Sequence, residues 1–234
     1  MKRNTEPPPF LYVLRLTFLC VPPTSQLGSN SVTHQSSTPR LILASASPRR
    51  RELLQQAGVP FTVISSNTDE NIRLGETPEV YALRVAREKA AAVATHESGN
   101  WVLGADTIVV IDDSILGKPR DAADGFRMLR LLSGRPHRVM TAFVLLDPNG
   151  QAYANQAVSS QVNFKILTDT QIQDYLATGE PYDKAGAYAV QGIGAALVEK
   201  VEGSYTNVVG LPLDEVLTVL HSAGLCHHTD APLA

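Results

Sequence analysis

Cysteine is nearly absent. Cys20 and Cys226 stand near opposite ends of the 234 residues, so neither a disulfide framework nor a zinc-ligand spacing can be read, and a reducing compartment is the default. An excess of either charge is also missing. Twenty basic residues face 23 acidic ones for a net charge of -3, which gives no footprint for a general nucleic-acid or anionic-membrane binder. No apolar run is long enough to span a bilayer: Phe10 to Val21 is interrupted by Arg15 and Thr17 and falls short of the roughly 20 residues required. There is no internal repeat, and the Gly-Lys pair at Gly117-Lys118 lacks the glycine-rich lead of a phosphate loop, which excludes that class of NTPase.

What the chain does have is 44% apolar residues, enough for a sizeable core. Residues 1–40 differ from the rest, with five prolines in the first 23 positions and then a Ser/Thr/Asn/Gln-rich run. They are expected to form a disordered or spurious extension. Arg15 and the triple proline argue against a secretory signal. The folded domain is expected at 41–224 and a flexible tail at 225–234, where Cys226-His227-His228 offers metal-ligand residue types without a framework.

The organising stretch is Leu41 to Leu54. A short buried strand should end at Ala44, and Ser47-Pro48 reads as an N-cap with proline at the first helical position. Arg49, Arg50 and Arg51 then fall in the first turn, where the helix dipole disfavours cations. Either they form a solvated face, or they join Ser45, Ser47 and free N–H groups in a phosphate or carboxylate site.

Downstream, Phe61 to Ile64 reads as a strand leading to Asp69-Glu70, and Thr77-Pro78 opens a helix to about Thr95. Helical spacing puts Lys89 on the apolar face with Ala82, Ala86 and Val93, where it either snorkels or meets a carboxylate or phosphate. Trp101 to Ile111 is apolar on both faces, so a central strand is predicted, yet it contains Asp106. That carboxylate needs a metal, a lysine or a proton, and Gly104 and Ala105 leave room for a ligand near the backbone. Asp121 caps a helix to about Leu132; Val139–Leu146 and Val158–Ile166 read as strands; Thr168 caps a helix ended by Gly179. An irregular segment, Tyr182 to Gly192, carries Asp183, Lys184 and Gln191, and a small-residue loop, Gly203 to Pro212, precedes a last helix.

Mixed acids and bases on separate loops suit a metal-bound polyphosphate, provided that the loops meet in one cleft. Ser45-Ala46-Ser47-Pro48-Arg49-Arg50, Gly104-Ala105-Asp106-Thr107, Gly117-Lys118-Pro119, Asp183-Lys184-Ala185-Gly186-Ala187-Tyr188, Gln191-Gly192 and Gly203-Ser204-Tyr205 through Pro212 together resemble the Maf family of nucleoside triphosphate pyrophosphatases over about Leu41 to Gly224. The resemblance implies a two-lobed α/β fold of the Maf/ITPase type, with a bent mixed sheet flanked by helices and a nucleotide cleft, commonly in a homodimer. It implies cleavage of a nucleoside triphosphate between the α and β phosphates with Mg2+ or Mn2+, a cytoplasmic house-cleaning role, and no nucleic-acid or membrane partner.

By the same resemblance Asp106 is the catalytic base, Lys89 and Lys118 assist at the phosphates, and Glu70 with Asp106 holds the metal. Ser45, Ser47 and Arg50 bind phosphate, Asp183 and Lys184 brace their loop, and Arg49, Thr107 and Gln191 set specificity. A related branch acting on 7-methyl-GTP has tryptophan, glutamine and glutamate at those last three positions, so this chain resembles the dTTP/UTP branch. The rival readings are a 7-methyl-GTP-type pyrophosphatase and a nucleotide-sensing regulator of cell division without turnover.

Overall fold

In the computed structural model, which describes residues 20–21 and 40–228, the chain runs through β1 (Cys20–Val21), β2 (Leu41–Leu43), α1 (Pro48–Gln56), β3 (Thr62–Val63), α2 (Pro78–Ala94), β4 (Trp101–Ile111) and β5 (Ser114–Leu116). It continues through α3 (Ala122–Leu132), β6 (Pro136–Leu146), β7 (Ala152–Phe164), α4 (Asp169–Ala177), three 3-10 turns (Glu180–Asp183, Ala185–Ala187, Gly192–Leu197), β8 (Val198–Glu202), α5 (Tyr205–Val209), α6 (Leu213–Ser222) and β9 (His227–His228). Most of the expected extension and the tail from Thr229 lie outside the described residues. No helix among the described residues is long and apolar enough to cross a membrane.

The capping residues place the helices. Ser47, Thr77, Asp121 and Thr168 each accept a backbone N–H from the first turn of the helix they precede. At α4 the bond is reciprocated, since Gln171 accepts the Thr168 N–H at 2.9 Å and completes a capping box.

The sheet order is β3-β2-β4-β6-β7-β8, with β5 paired to β4. Strand β2 runs parallel to β3 and β4, and the remaining pairings are antiparallel, so this is the mixed α/β architecture that was expected. Strand β4 is interior, as its two apolar faces require. Strand β7 starts at Ala152, earlier than its side chains predict, because the long antiparallel ladder with β6 recruits polar residues such as Asn155 and Gln156. It stops at Phe164, and Ile166 is exposed rather than part of the strand's apolar face.

Alternation along β4 separates two cores. Leu103, Ala105, Val109 and Ile111 face the larger one with α1, α3, α4 and α6, whereas Val102, Ile108 and Val110 face α2. Cys226 also packs in the larger core and is disulfide-bonded, a pairing that could not be read from two cysteines at opposite ends of the sequence. The antiparallel pairing of β1 with β9 brings the two ends of the chain together, a contact that sequence separation conceals.

Gly104 faces α2, and the room it leaves is taken by that helix rather than open to a ligand. A Cβ there would lie 2.3 Å from the Ala86 carbonyl oxygen and 2.8 Å from the Ala90 amide nitrogen, so the helix backbone itself takes the space. Ala82, Ala86 and Ala90 form the matching small-residue stripe. A Gly104→Ala substitution must push α2 off the sheet, and a loss of about 2 kcal/mol or more is expected in denaturant unfolding.

His137 is buried on β6, its Nε2 2.7 Å from the Tyr188 hydroxyl and its ring edge-on to Phe164. Burial lowers its imidazole to about 4 and pushes the Tyr188 phenol up, so both stay neutral. The folded histidine therefore binds its proton less readily than the unfolded one. Its contribution to stability is complete above the ordinary value of 6.5 and is lost as pH falls toward 4. Between about pH 7 and pH 5 the unfolding free energy should fall by up to about 2 kcal/mol from this group, and His137→Gln should remove that component of the slope.

Candidate active site

The loop before α2 carries Glu70 and is tied down by the helix that follows it. Tyr81 donates its hydroxyl proton to the Glu70 carbonyl at 2.7 Å, and Arg84 donates to the Asn71 carbonyl at 2.9 Å while bridging Glu76 and Glu88. One turn further on in register with the buried stripe stands Lys89. Its Nζ lies 2.8 Å from Asp106 Oδ1 and 2.7 Å from Glu70 Oε1, so it resolves as the cation that the buried aspartate demands. Burial alone would raise Glu70, but the hydrogen bond and charge of Lys89, with Lys118 and Arg50 beyond, outweigh it and hold the carboxyl below its ordinary range.

The Asp106 neighbour in sequence points the other way. Thr107 faces the larger core side of β4, where its hydroxyl meets Arg50 at 2.9 Å and Thr141 at 2.9 Å. Arg50 is buried, and it donates to the Gly210 and Ala105 carbonyls at 2.8 Å each and to Ser45 Oγ at 3.1 Å. Its guanidinium thus ties the β2–α1 turn, strand β4 and the loop after α5 into one knot, spending most of its donors on protein oxygens. Removal from water lowers its proton affinity, and the charge of Asp106 works in the opposite sense.

One cleft of about 920 Å3 is lined by Ser45, Ser47, Arg49, Arg50, Glu70, Lys89, Asp106, Thr107, Lys118, Asp183, Lys184 and Gln191, whereas Arg51, the third arginine of the helix start, is exposed and lies outside its lining. The structure therefore brings the separate loops together. It does not leave them equally available. Arg49 and Lys118 make no ion pair among the described residues and Gln191 makes no side-chain hydrogen bond there, whereas Arg50 and Thr107 are occupied as above. Lys184 is turned back, 2.6 Å from both Asp183 Oδ1 and the Glu180 carbonyl, where it braces its own loop.

Sequence reasoning missed Tyr81 and Asn207. Tyr81 carried a faint signal, a polar tip on the same helical face as Lys89. Asn207 carried none, since the apolar-to-polar pattern gave no hint of α5; it is fully buried, accepts the Thr141 N–H at 3.1 Å and donates to Val139 O and Ser160 Oγ. That places the Gly210 carbonyl over Arg50.

A cation would find two carboxylates here, Glu70 and Asp106, converging on one ammonium. No group of three or more His, Cys, Asp or Glu side chains suited to a metal occurs among the described residues. Two carboxylates suit a Mg2+-like ion that takes its remaining oxygens from phosphate and water, so the donor set fits such an ion bound together with a polyphosphate.

A family model described as Maf-like protein matches residues 40–223. The chain belongs to the Maf family. The relatives that this Maf chain resembles include the dTTP/UTP pyrophosphatase of Geotalea uraniireducens (strain Rf4), 53% identical over 184 residues, which is 79% of this chain and 95% of that protein. That of Geobacter metallireducens is 51% identical over 185 residues, 79% and 96% of the two chains. That of Anaeromyxobacter dehalogenans (strain 2CP-1) is 53% identical over 189 residues, 80% and 95%. A solved nucleoside-triphosphatase, the dITP/XTP pyrophosphatase of Mycobacterium abscessus, aligns with a TM-score of 0.40 at 16% identity over 80% of this chain and 96% of that one, too distant to bear on the site.

Lys89→Met should release Glu70 from the hydrogen bond that lowers it. In a carboxyl-carbon NMR titration Glu70 is expected to titrate below its ordinary value of 4.5 in the parent and to move upward in the variant. An unmoved titration would show that Lys89 is not the cause.

Proposed function

We propose that this Maf chain hydrolyses dTTP and UTP to the nucleoside monophosphate and pyrophosphate, removing unwanted or modified pyrimidine nucleotides. The observation that carries the reading is the Lys89-bridged pair of Glu70 and Asp106 facing Arg49, Lys118 and Gln191 across one cleft. The names of its relatives at about half identity support it.

Asp106 accepts the proton of a water molecule as that water attacks the α-phosphorus in line with the departing oxygen. The α–β bridge breaks, the bridging oxygen leaves with pyrophosphate, and the water oxygen stays on the monophosphate. Lys89 and Lys118 neutralise charge that develops on the phosphate oxygens, and Ser45, Ser47 and the start of α1 offer hydroxyl and N–H donors. The Lys89 ammonium has three donors and spends two of them on Glu70 and Asp106, which leaves one for a phosphate oxygen. A divalent cation, Mg2+ or Mn2+, would be held by Glu70 and Asp106 and would supply charge neutralisation at the phosphates.

Arg49 and Gln191 are free to meet the base. Thr107, tied to Arg50 and Thr141, acts on specificity by holding that wall in place, and Arg50 holds the wall instead of binding phosphate. A cytoplasmic setting, where nucleoside triphosphates are made and used, and a homodimer go with this reading.

Pyrophosphate release measured across dTTP, UTP and 7-methyl-GTP with Mg2+ or Mn2+ tests it, with the two pyrimidine nucleotides expected to turn over fastest. Preference for 7-methyl-GTP would favour the rival pyrophosphatase, and binding of dTTP without release would favour the sensor. Asp106→Asn should keep the fold and lose at least about 100-fold in kcat; near-parent turnover would remove Asp106 from the role of base.

A further inference from the structure

Gln191 enters the cleft from a segment with little regular structure, and its side chain has no protein hydrogen bond among the described residues to hold it. Its position is set through its backbone, and the backbone is held from behind by a residue that does not line the cleft. Glu180, in the first turn after α4, presents both carboxylate oxygens to that segment. Oε2 accepts the Ile193 N–H at 3.0 Å, and Oε1 accepts the Gly194 N–H at 2.9 Å and the Tyr175 hydroxyl at 2.9 Å. Tyr175 in turn accepts the Ala189 N–H at 3.3 Å. The segment is thus pinned on both sides of Gln191, to one carboxylate and the phenol bonded to it.

Glycine is required where the pin is tightest. Gly192 has φ +70, and a Cβ there would lie 2.6 Å from Glu180 Oε2; a Cβ on Gly194 would lie 2.5 Å from the Tyr175 hydroxyl. Three donors converging on one side chain call for an anion, since the amide of a glutamine would turn an NH2 group toward at least one of them. Burial would raise the Glu180 carboxyl, but the Gly194 and Ile193 N–H groups, Tyr175 and Lys184 together hold it below its ordinary range, in keeping with an anion at neutral pH.

We propose that Glu180 is a positioning residue for base selection: by clamping 189–194 through Ile193, Gly194 and Tyr175 it sets where the Gln191 amide meets the nucleobase. This rests on the reading of Gln191 as a base contact. Glu180 does not line the cleft, so its loss should change which nucleotide is chosen more than how fast a bound one is cleaved.

The test compares kcat and KM for dTTP and dCTP, two pyrimidines that differ at the base edge, in the parent, Gln191→Ala, Glu180→Gln, Tyr175→Phe and the double variant Glu180→Gln/Gln191→Ala, with thermal unfolding run on each. Expected for Glu180→Gln is a rise of about tenfold in KM for dTTP with kcat changed far less, and a matching fall in the dTTP/dCTP ratio of kcat/KM. Tyr175→Phe should give a smaller fall of the same kind, and the double variant should be no less selective than Gln191→Ala alone. A Glu180→Gln enzyme that loses thermal stability or kcat equally toward both nucleotides, with the ratio unchanged, overturns the inference and leaves Glu180 a merely structural residue. Failure of Glu180→Gln to fold moves the decision to Tyr175→Phe, where an unchanged ratio overturns it equally. If Gln191→Ala itself leaves selectivity unaltered, the base-contact reading falls and the inference with it; a fall in Gln191→Ala without one in the Glu180 and Tyr175 variants sinks the inference alone.

Discussion

A carboxylate in the interior of a sheet has to be matched, and the rest of the site follows from how Asp106 is matched. An uncompensated charge so placed would cost several kcal/mol. The compensation comes from Lys89 on α2, which can reach only because α2 lies against β4 with its backbone almost in contact with Gly104. The missing side chain at Gly104 and the alanine stripe on α2 are therefore part of the electrostatics. The same lysine collects Glu70, whose loop Tyr81 and Arg84 fasten to the same helix. One helix thus places the cation and the Glu70 loop against the carboxylate that β4 supplies.

The opposite side of β4 is organised by Arg50 in a different way. An arginine in the first turn of a helix opposes the dipole, and an anion is the usual remedy. Here carbonyl and hydroxyl oxygens serve instead: Gly210, Ala105, Ser45 and Thr107 take up the guanidinium while its neighbour Arg49 remains at the cleft. Adjacent arginines are in this way divided between holding the wall and lining the open cleft. Because successive residues of a strand point to opposite faces, Asp106 and Thr107 link the two arrangements through a single peptide.

Both walls are preorganised by groups outside the cleft. Asn207 holds the backbone of β6 and of α5, and Glu180 holds the segment that carries Gln191. A polyphosphate site needs its charges placed before the substrate arrives, since catalysis of phosphoryl transfer is mostly positioning and electrostatics. Hydrogen-bonded supports outside the cleft lining, the buried Asn207 and the partly buried Glu180, supply that placement.

Local signals were enough for much of this. Ser47-Pro48, Thr77-Pro78, Asp121 and Thr168 mark their helix starts because capping depends on a few neighbouring residues, and the apolar run around Asp106 marks an interior strand because burial on both faces leaves no polar alternation. The candidate site residues were likewise legible by type, since charges in apolar or helix-start contexts are anomalous in the sequence itself. What each one touches was not. Whether Arg50 binds phosphate or protein, whether Gly104 admits a ligand or a helix, and that Glu180 stands behind Gln191 depend on contacts between residues far apart in the chain. Such contacts leave no local trace, so the sequence by itself determined which groups were available, and only the tertiary structure decided which of them are spent on the protein and which are left for a substrate.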